Sequence, residues 1–411
     1  MEKPVDPKDL REAVAKAIKL TAERRRTARV ESAVKELGRT QQWMLNAPKQ
    51  AAVDIELSFQ PILEAGGDFF SHFPVATDRY LCLLTDVSGH DLKAAYVSAY
   101  FQGVVRGMLE RNASVSEVLG AFNRFLLEDW NQPAATNVVQ AMSTTSVACC
   151  SVLLDLKSHR ACVHISGLPA PILVKPDGRA HILGAGGGYP LGWFEDYVVP
   201  EVEYAAPGGS AFLMWTDGLA DLAEREGVTP LSLGYALQSS RAAGLKLAEL
   251  ARATDDLLFA RVRLPVPELT PDSFHPLVVE LYAGSEAGDI DRLSEVWLRS
   301  LQLAVPELSE VKLHDLMLAS REALLNGLKH GCQGCSEMQA FFQISFHPGR
   351  NEFRVWVEDP GTGHDFDVVA HEGSANGQLV DEHRGLMLMN YLANTLRTER
   401  RGASVVMDFI V

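Results

Sequence analysis

The sequence predicts an α+β protein in which two unlike folded units follow a helical stalk. Three observations carry that reading. Residues 8–46 form one long helix-favouring stretch without proline. Between 53 and 264, apolar strand-like runs come in groups instead of alternating one for one with helices, which points to layered α+β architecture. A stretch rich in Pro and polar residues, "PVPELTPDSFHP" at 265–276, then separates this unit from a second whose helices precede its strands.

Composition bounds the function. A chain of 411 residues exceeds one ordinary domain, and an apolar fraction of 47% is ample for real cores. The net charge of −15 disfavours nucleic acid and anionic membrane as partners, since both require a basic footprint. No apolar run is long enough to span a bilayer, and "MEKPVDPKDLREAVAKAIKL" lacks a secretory apolar region. Six cysteines without framework spacing read as reduced thiols, so a cytoplasmic location is expected.

The elements follow in order. In the stalk, assigned to 1–52, Val14, Ile18 and Leu20, then Val30, Val34 and Leu37, recur at helical spacing, while "AERRRTAR" makes one face basic. A helical connector or a dimeric coiled coil is expected there, and with it a homodimer. The first unit, 53–264, contains the strand patterns "YLCLLTDV", "SVACCSVLLDL", "ACVHISG" and "AFLMWTDG", with two helical segments between the first pair. The second, 277–411, shows two helices, strands "MQAFFQISFH" and "EFRVWVED", a loop-rich stretch, a helix near 385–396 and a last strand "SVVMDFIV".

Four aspartates share one context. Asp68 stands in "GGDFF", Asp86 ends "LCLLTD", Asp217 ends "AFLMWTD" and Asp255 precedes "LLFARVRL". Each marks the tip of an apolar strand. Hard divalent cations take carboxylate oxygens on rigid supports, and two such ions about 3.5–4 Å apart can clamp a phosphoryl group and activate water. Any one Asp-Gly after a strand is ordinarily a turn; the combination is what carries weight.

"GGDFF", "TDVSGH", "TDGLAD" and "DDLLF" resemble the motifs of PPM-type metal-dependent serine/threonine phosphatases, and in particular the bacterial stage II sporulation phosphatase subgroup. The resemblance spans about 40–264 and includes the lead-in "RTQQWMLN". It implies a β-sandwich flanked by helices. It further implies that Asp68, Asp86, Asp217 and Asp255, with the carbonyl of Val87, hold two Mn²⁺ or Mg²⁺ ions, and that no covalent nucleophile is needed. His90 is expected either to protonate the leaving serine oxygen or to serve as a turn histidine. Three departures from the family pattern, Asp91, the missing His in "SGLPAP" (166–171) and Leu258, concern substrate handling more than the ligands.

In the second unit, Glu322 and Asn326 in "SREALLNGLKHG" lie four apart, on one helical face. Asp359-x-Gly361-x-Gly363 follows an apolar strand, and Arg384-Gly385 opens a helix. A glycine-containing turn at a helix start suits phosphate oxygens, and a strand-end Asp can accept from an adenine amino group. Region 272–411 resembles the histidine-kinase-like ATPase fold, an α/β sandwich, as used by anti-sigma-factor serine kinases. The resemblance implies Asn326 as the Mg²⁺ ligand, Glu322 as the catalytic base, Asp359, Gly361 and Gly363 at the adenine of ATP, and Arg384 and Gly385 at its phosphates. His383 replaces the usual first Gly of that turn.

Together these imply a two-module signalling enzyme. One module would dephosphorylate a STAS-type anti-sigma-factor antagonist; the other would phosphorylate it or sequester a sigma factor. The alternative is a partner-switching scaffold without turnover in one or both modules. A phosphodiesterase would ordinarily enlist more histidines. "EKPVDPKDLREAVAKAI" resembles the last turn and helix of a response-regulator receiver domain, with 1–20 as its remnant, which implies an upstream histidine kinase. Cys332-x-x-Cys335 lacks the second pair a structural zinc site requires. "GAGGGYPLG" reads as a turn cluster, Cys149-Cys150 as core, and Trp193, Trp215 and Trp356 as core packing.

Overall fold

A computed structural model describes residues 7–46, 52–62, 66–89, 92–131, 144–184, 187–197, 201–239, 253–265, 274–363 and 384–411. The chain opens with α1 (Pro7–Asn46), a single helix of 40 residues. Lys3-Pro4 lies outside the described residues. Two five-stranded antiparallel sheets follow. One contains β2 (Phe69–Ala76), β3 (Arg79–Val87), β4 (Val147–Asp155), β5 (Arg160–Ser166) and β8 (Val202–Ala205), in that order. The other runs β1 (Asp54–Gln60), β10 (Leu257–Arg263), β9 (Ala211–Trp215), β6 (Ile172–Val174) and β7 (Ala180–Ile182).

Both faces of the central strands are covered, so they read as unbroken apolar runs. In β3, Cys82 and Leu84 enter the core between the sheets, while Leu81 and Leu83 pack under α2 (Leu92–Leu109) and α3 (Val115–Phe125). Cys149 and Cys150 divide between the same two cores. The helix α3 starts with a reciprocal cap. Ser114 Oγ accepts from the Glu117 N–H (3.2 Å), and the Glu117 carboxylate accepts from the Ser114 N–H (2.7 Å). Helices α4 (Asp217–Glu226) and α5 (Pro230–Gln238) cover the outer face of the second sheet.

The C-terminal unit is a third antiparallel sheet, β11 (His275–Ala283), β12 (Gln339–His347), β13 (Glu352–Glu358), β15 (Ser404–Ile410) and β14 (Thr395–Glu399). Strand β11 precedes the helices, against the expected order, and begins within the stretch read as a linker. Helices α6 (Ile290–Ala304), α7 (Glu310–Asn326) and α8 (Arg384–Leu392) lie on one face, around Trp297, Leu324, Phe342 and Ile344. The last helix ends at Leu392, short of the expected 396, because the chain turns there into β14.

The other face of this sheet packs on the sandwich. Alternation along β12 sends Phe341 and Gln343 that way, and Val279 and Phe341 join the core over β9 and α5. Gln343 is buried, and its needs are met across the interface: Nε2 donates to the Gly178 carbonyl (2.7 Å), and Oε1 accepts from the Ala180 N–H (2.9 Å). Arg179, in the β6–β7 turn, pairs with Glu358 and lies over the Trp356 ring at 5.0 Å.

Trp215 and Trp356 are buried as expected, but Trp193 is not. It stands on the surface and stacks on Tyr189 with ring centroids 6.5 Å apart. Its chain neighbour Leu191 takes the core position through the Val147 bridge.

Candidate functional site

Register places the first cluster. Strands β2 and β3 pair with Phe69 opposite Thr85, so Asp68 and Asp86 come together at one end of their sheet. In the facing sheet, β9 and β10 pair with Trp215 opposite Phe259, which brings the chain after β9 beside the chain before β10. Asp217 follows β9, and Asp255 and Asp256 precede β10. Both sheets thus deliver aspartates to one edge of the sandwich.

Close backbone approach closes the site. A Cβ at Gly67 would collide with the Val87 carbonyl oxygen, and one at Gly66 with the Asp256 carboxylate. Thr216 donates to Asp68 Oδ2 (2.7 Å) while its oxygen accepts from the Leu258 N–H (3.2 Å), tying the two sheets together at the carboxylates.

The charges oppose one another. Burial pushes the Asp68 carboxyl well above the usual range; Asp86 raises it further, the Thr216 hydroxyl opposes the rise, and Asp256 and Asp217 add to it. Asp86 is pushed the same way, first by burial and then by Asp217, which lies within side-chain hydrogen-bonding reach. Carboxylates held this way are a poor arrangement for water and a good one for cations. The donor set is all oxygen, which fits Mg²⁺ or Mn²⁺ and not soft metals.

Two residues bear on this site that the motifs did not reveal. Asp256 accepts from the Ile62 N–H (2.8 Å) and from the backbone of Gly67 and Asp68, holding the loop that carries Asp68. The doublet in "DDLLF" was its only signal. Gln41, near the end of α1, is buried against the same loop. Its Nε2 donates to the carbonyls of Gly66 and Asp68, and its Oε1 accepts from the Gly66 N–H, all at 3.0 Å. The stalk is therefore bonded directly to the backbone that positions Asp68. His90 and Asp91 lie outside the described residues.

The second cluster surrounds a cavity of ≈ 960 Å³, near the upper end of the ordinary small-molecule range of about 300–1,000 Å³. Glu322, Asn326, Asp359, Gly361, Gly363, Arg384 and Gly385 all line it. Asp359 continues β13, its N–H donating to the Ala403 carbonyl (2.9 Å) while Oδ1 accepts from the Gly361 N–H (2.8 Å). Burial raises the Asp359 carboxyl, opposed by that N–H. At Gly385 a Cβ would collide with the Glu322 carboxylate, so α8 meets α7 through glycine. A cavity with apolar walls, an Asp359 acceptor and a helix start among its lining fits a nucleotide. His383 lies outside the described residues. No described helix is long and apolar enough to cross a membrane.

The chain matches the family described as stage II sporulation protein E (SpoIIE) over residues 76–262. It matches the histidine kinase-like ATPase domain over 289–409. Among solved structures, it is similar to the RsbU and RsbW domains of a Mycobacterium tuberculosis protein. Identity there is 20%, over 87% of this chain and 93% of that one, with a TM-score of 0.39. It is also similar to the SiaA PP2C domain of Pseudomonas aeruginosa, at 17% identity over 58% and 98% of the two chains, TM-score 0.43. A third is the PP2C phosphatase domain and regulatory fragment of SpoIIE from Bacillus subtilis, at 15% identity over 53% and 64%, TM-score 0.39.

Proposed function

We propose that the SpoIIE-type domain is a metal-dependent serine phosphatase and that it and the histidine kinase-like ATPase domain act in opposite directions on one phosphorylated STAS-type anti-sigma-factor antagonist. The observation that carries the reading is the meeting of Asp68, Asp86, Asp217 and Asp255 at one edge of the sandwich, where burial and mutual repulsion call for cations.

On this reading those four carboxylates and the Val87 carbonyl hold two Mn²⁺ or Mg²⁺ ions. When bound, the ions supply charge neutralisation at the phosphoryl group and activation of water. The protein's own part is positional. Thr216 orients Asp68, Asp256 fixes its loop, and Gln41 fastens that loop to α1. Strain or rotation of α1 then reaches Asp68 through Gln41, which makes the stalk a route for an input signal. His90 is proposed as the proton donor to the leaving serine oxygen.

The second module binds ATP, with Asp359 accepting from the adenine amino group and Asn326 holding Mg²⁺ at the phosphates. Glu322 takes the proton from the antagonist's serine as it attacks. Sequestration of a sigma factor by the same module is the alternative outcome.

The test for the first module is intact-mass spectrometry of a phosphoserine STAS protein incubated with Mn²⁺. Loss of one phosphate that is absent in Asp86→Asn is the expected result. An intact phosphoprotein that nonetheless binds the chain would leave a scaffold instead. For the second, phosphate transfer from labelled ATP should disappear in Asn326→Ala; equal transfer in both would remove Asn326 from the reaction.

A further inference from the structure

Away from both clusters, a sulfur, an imidazole and a carboxylate converge at the β5–β8 edge of the sandwich. Cys162 and His164 alternate along β5 and so share one face. Glu201 immediately precedes β8, which pairs with β5 through Cys162 opposite Glu203 and Val163 opposite Val202. Cys162 Sγ lies 3.0 Å from Glu201 Oε1 and 4.0 Å from His164 Nδ1. His164 Nε2 lies 3.8 Å from Glu201 Oε2. One donor atom from each residue lies within 4.8 Å of the other two. Around a tetrahedral Zn²⁺, with bonds of about 2.0–2.3 Å, ligand atoms stand roughly 3.3–3.8 Å apart. A consistent set of one donor atom per residue lies within 4.8 Å, so small side-chain rotations bring it to that range.

We propose that Cys162, His164 and Glu201 form a zinc site, distinct from the aspartate cluster, with its fourth position open to water. Four features support it beyond the distances. The donor set is thiol, imidazole and carboxylate, which suits Zn²⁺ and is wrong for Mg²⁺ or Mn²⁺. The imidazole is oriented, because Ser151 Oγ lies 3.3 Å from Nδ1 and Ser116 Oγ 3.4 Å from Nε2, so whichever nitrogen binds, the other has a partner. His164 is buried behind the exposed Glu201, so its ring is held in place. The charges also balance: a Cys162 thiolate and the Glu201 carboxylate together neutralise one dication.

In the metal-free protein the Cys162 thiol donates to the Glu201 carboxylate. Binding therefore exchanges a proton for a metal bond. The S–H bond breaks, the sulfur lone pair goes to Zn²⁺, and one proton leaves to solvent per ion. Glu201 is exposed, which gives the ion an entry route. Once bound, the ion would fasten β8 to β5 beside the start of α3, at the edge of the sheet that carries Asp68 and Asp86.

The test uses Co²⁺ with the full chain, with Mg²⁺ in excess to occupy the aspartate cluster. Thiolate-to-cobalt charge transfer gives a near-ultraviolet band that carboxylate sites cannot produce. One equivalent of Co²⁺ should generate that band, and one equivalent of Zn²⁺ should abolish it. The band should vanish in Cys162→Ser and persist in Cys335→Ser. Zinc affinity, measured by competition with a chromophoric chelator, should fall by about 100-fold or more in Cys162→Ser and His164→Ala. Ser151→Ala, which keeps all three ligands, should lose about 10-fold and retain the band. A band that survives in Cys162→Ser, or none at one equivalent in protein whose circular dichroism is native, would overturn the assignment.

Discussion

The aspartate cluster and the cavity beside Asp359 both bury carboxyls, but they differ in the charges that surround them. At the sandwich edge, Asp68, Asp86 and Asp256 all have carboxyls pushed upward by burial, and their neighbours are further carboxylates. The site is held against repulsion by the fold, through Thr216, Gln41 and the backbone around Gly67. Asp359, in contrast, already has a donor in the Gly361 N–H, and Arg400, pairing at 2.5 Å with its chain neighbour Glu358, also draws it down. The first site stores an energetic demand for cations; the second is a largely prepaid cavity. Metal should thus change the stability of the first far more than nucleotide changes that of the second.

The largest effect tests whether the aspartates act as one unit. On the proposed reading Asp86→Asn removes an anionic ligand, and since each cation would contribute several kcal/mol at the phosphoryl group, kcat with Mn²⁺ should fall about 10²–10³-fold. A fall of less than about fivefold would place the chemistry elsewhere. Next, Asp359→Ala deletes the charged acceptor at the cavity floor. Fluorescent ATP-analogue binding should weaken about 10–100-fold, matching a charged hydrogen bond of about 1.5–3 kcal/mol, while phosphatase kcat changes little.

The comparison sharpens in the metal-free protein. Because the native Asp68 carboxyl titrates above its unfolded value, the native state holds more protons between the two. Stability should then fall as pH rises through that interval and remain lower above it. Asp68→Asn should raise metal-free stability at neutral pH by about 0.5–2 kcal/mol in urea titrations, and Mn²⁺ should stabilise the wild type but not the variant. Lower stability of Asp68→Asn without metal would mean the repulsion is already relieved.

Gln41→Ala removes three buried hydrogen bonds between α1 and the Asp68 loop. Mn²⁺ affinity should drop about tenfold with kcat nearly restored at saturating Mn²⁺, the signature of a positioning residue. Away from both sites, Gln343→Ala breaks the two bonds that join the domains through Gly178 and Ala180. About 1–2 kcal/mol should be lost, visible as earlier domain separation in hydrogen exchange over β7 and β12.

Much of the architecture was legible. The apolar runs "LCLLTD" and "AFLMWTD" announced strands covered on both faces, and the Asp after each announced where those strands emerge. Asp359 and Gly361 could be placed at the end of β13 for the same reason. What misled was solitary side-chain character: Trp193 is aromatic enough for a core, yet Leu191 fills that place and leaves the indole outside. Asp256 was overlooked because its role is to hold backbone N–H groups far away in sequence, which no local pattern encodes.

By itself the sequence determined the periodicities, and through them the helical stalk, the strands and the positions at which acidic and glycine residues leave them. Those follow from local sterics and from which faces must avoid water. Only the tertiary structure decided which strand tips share an edge, that Gln41 of α1 grips the loop of Asp68, and that Gln343 joins the two domains. It also decided that Cys162, His164 and Glu201 meet. Each of these depends on register and on packing between segments distant in the chain, where a contact has no counterpart in local spacing.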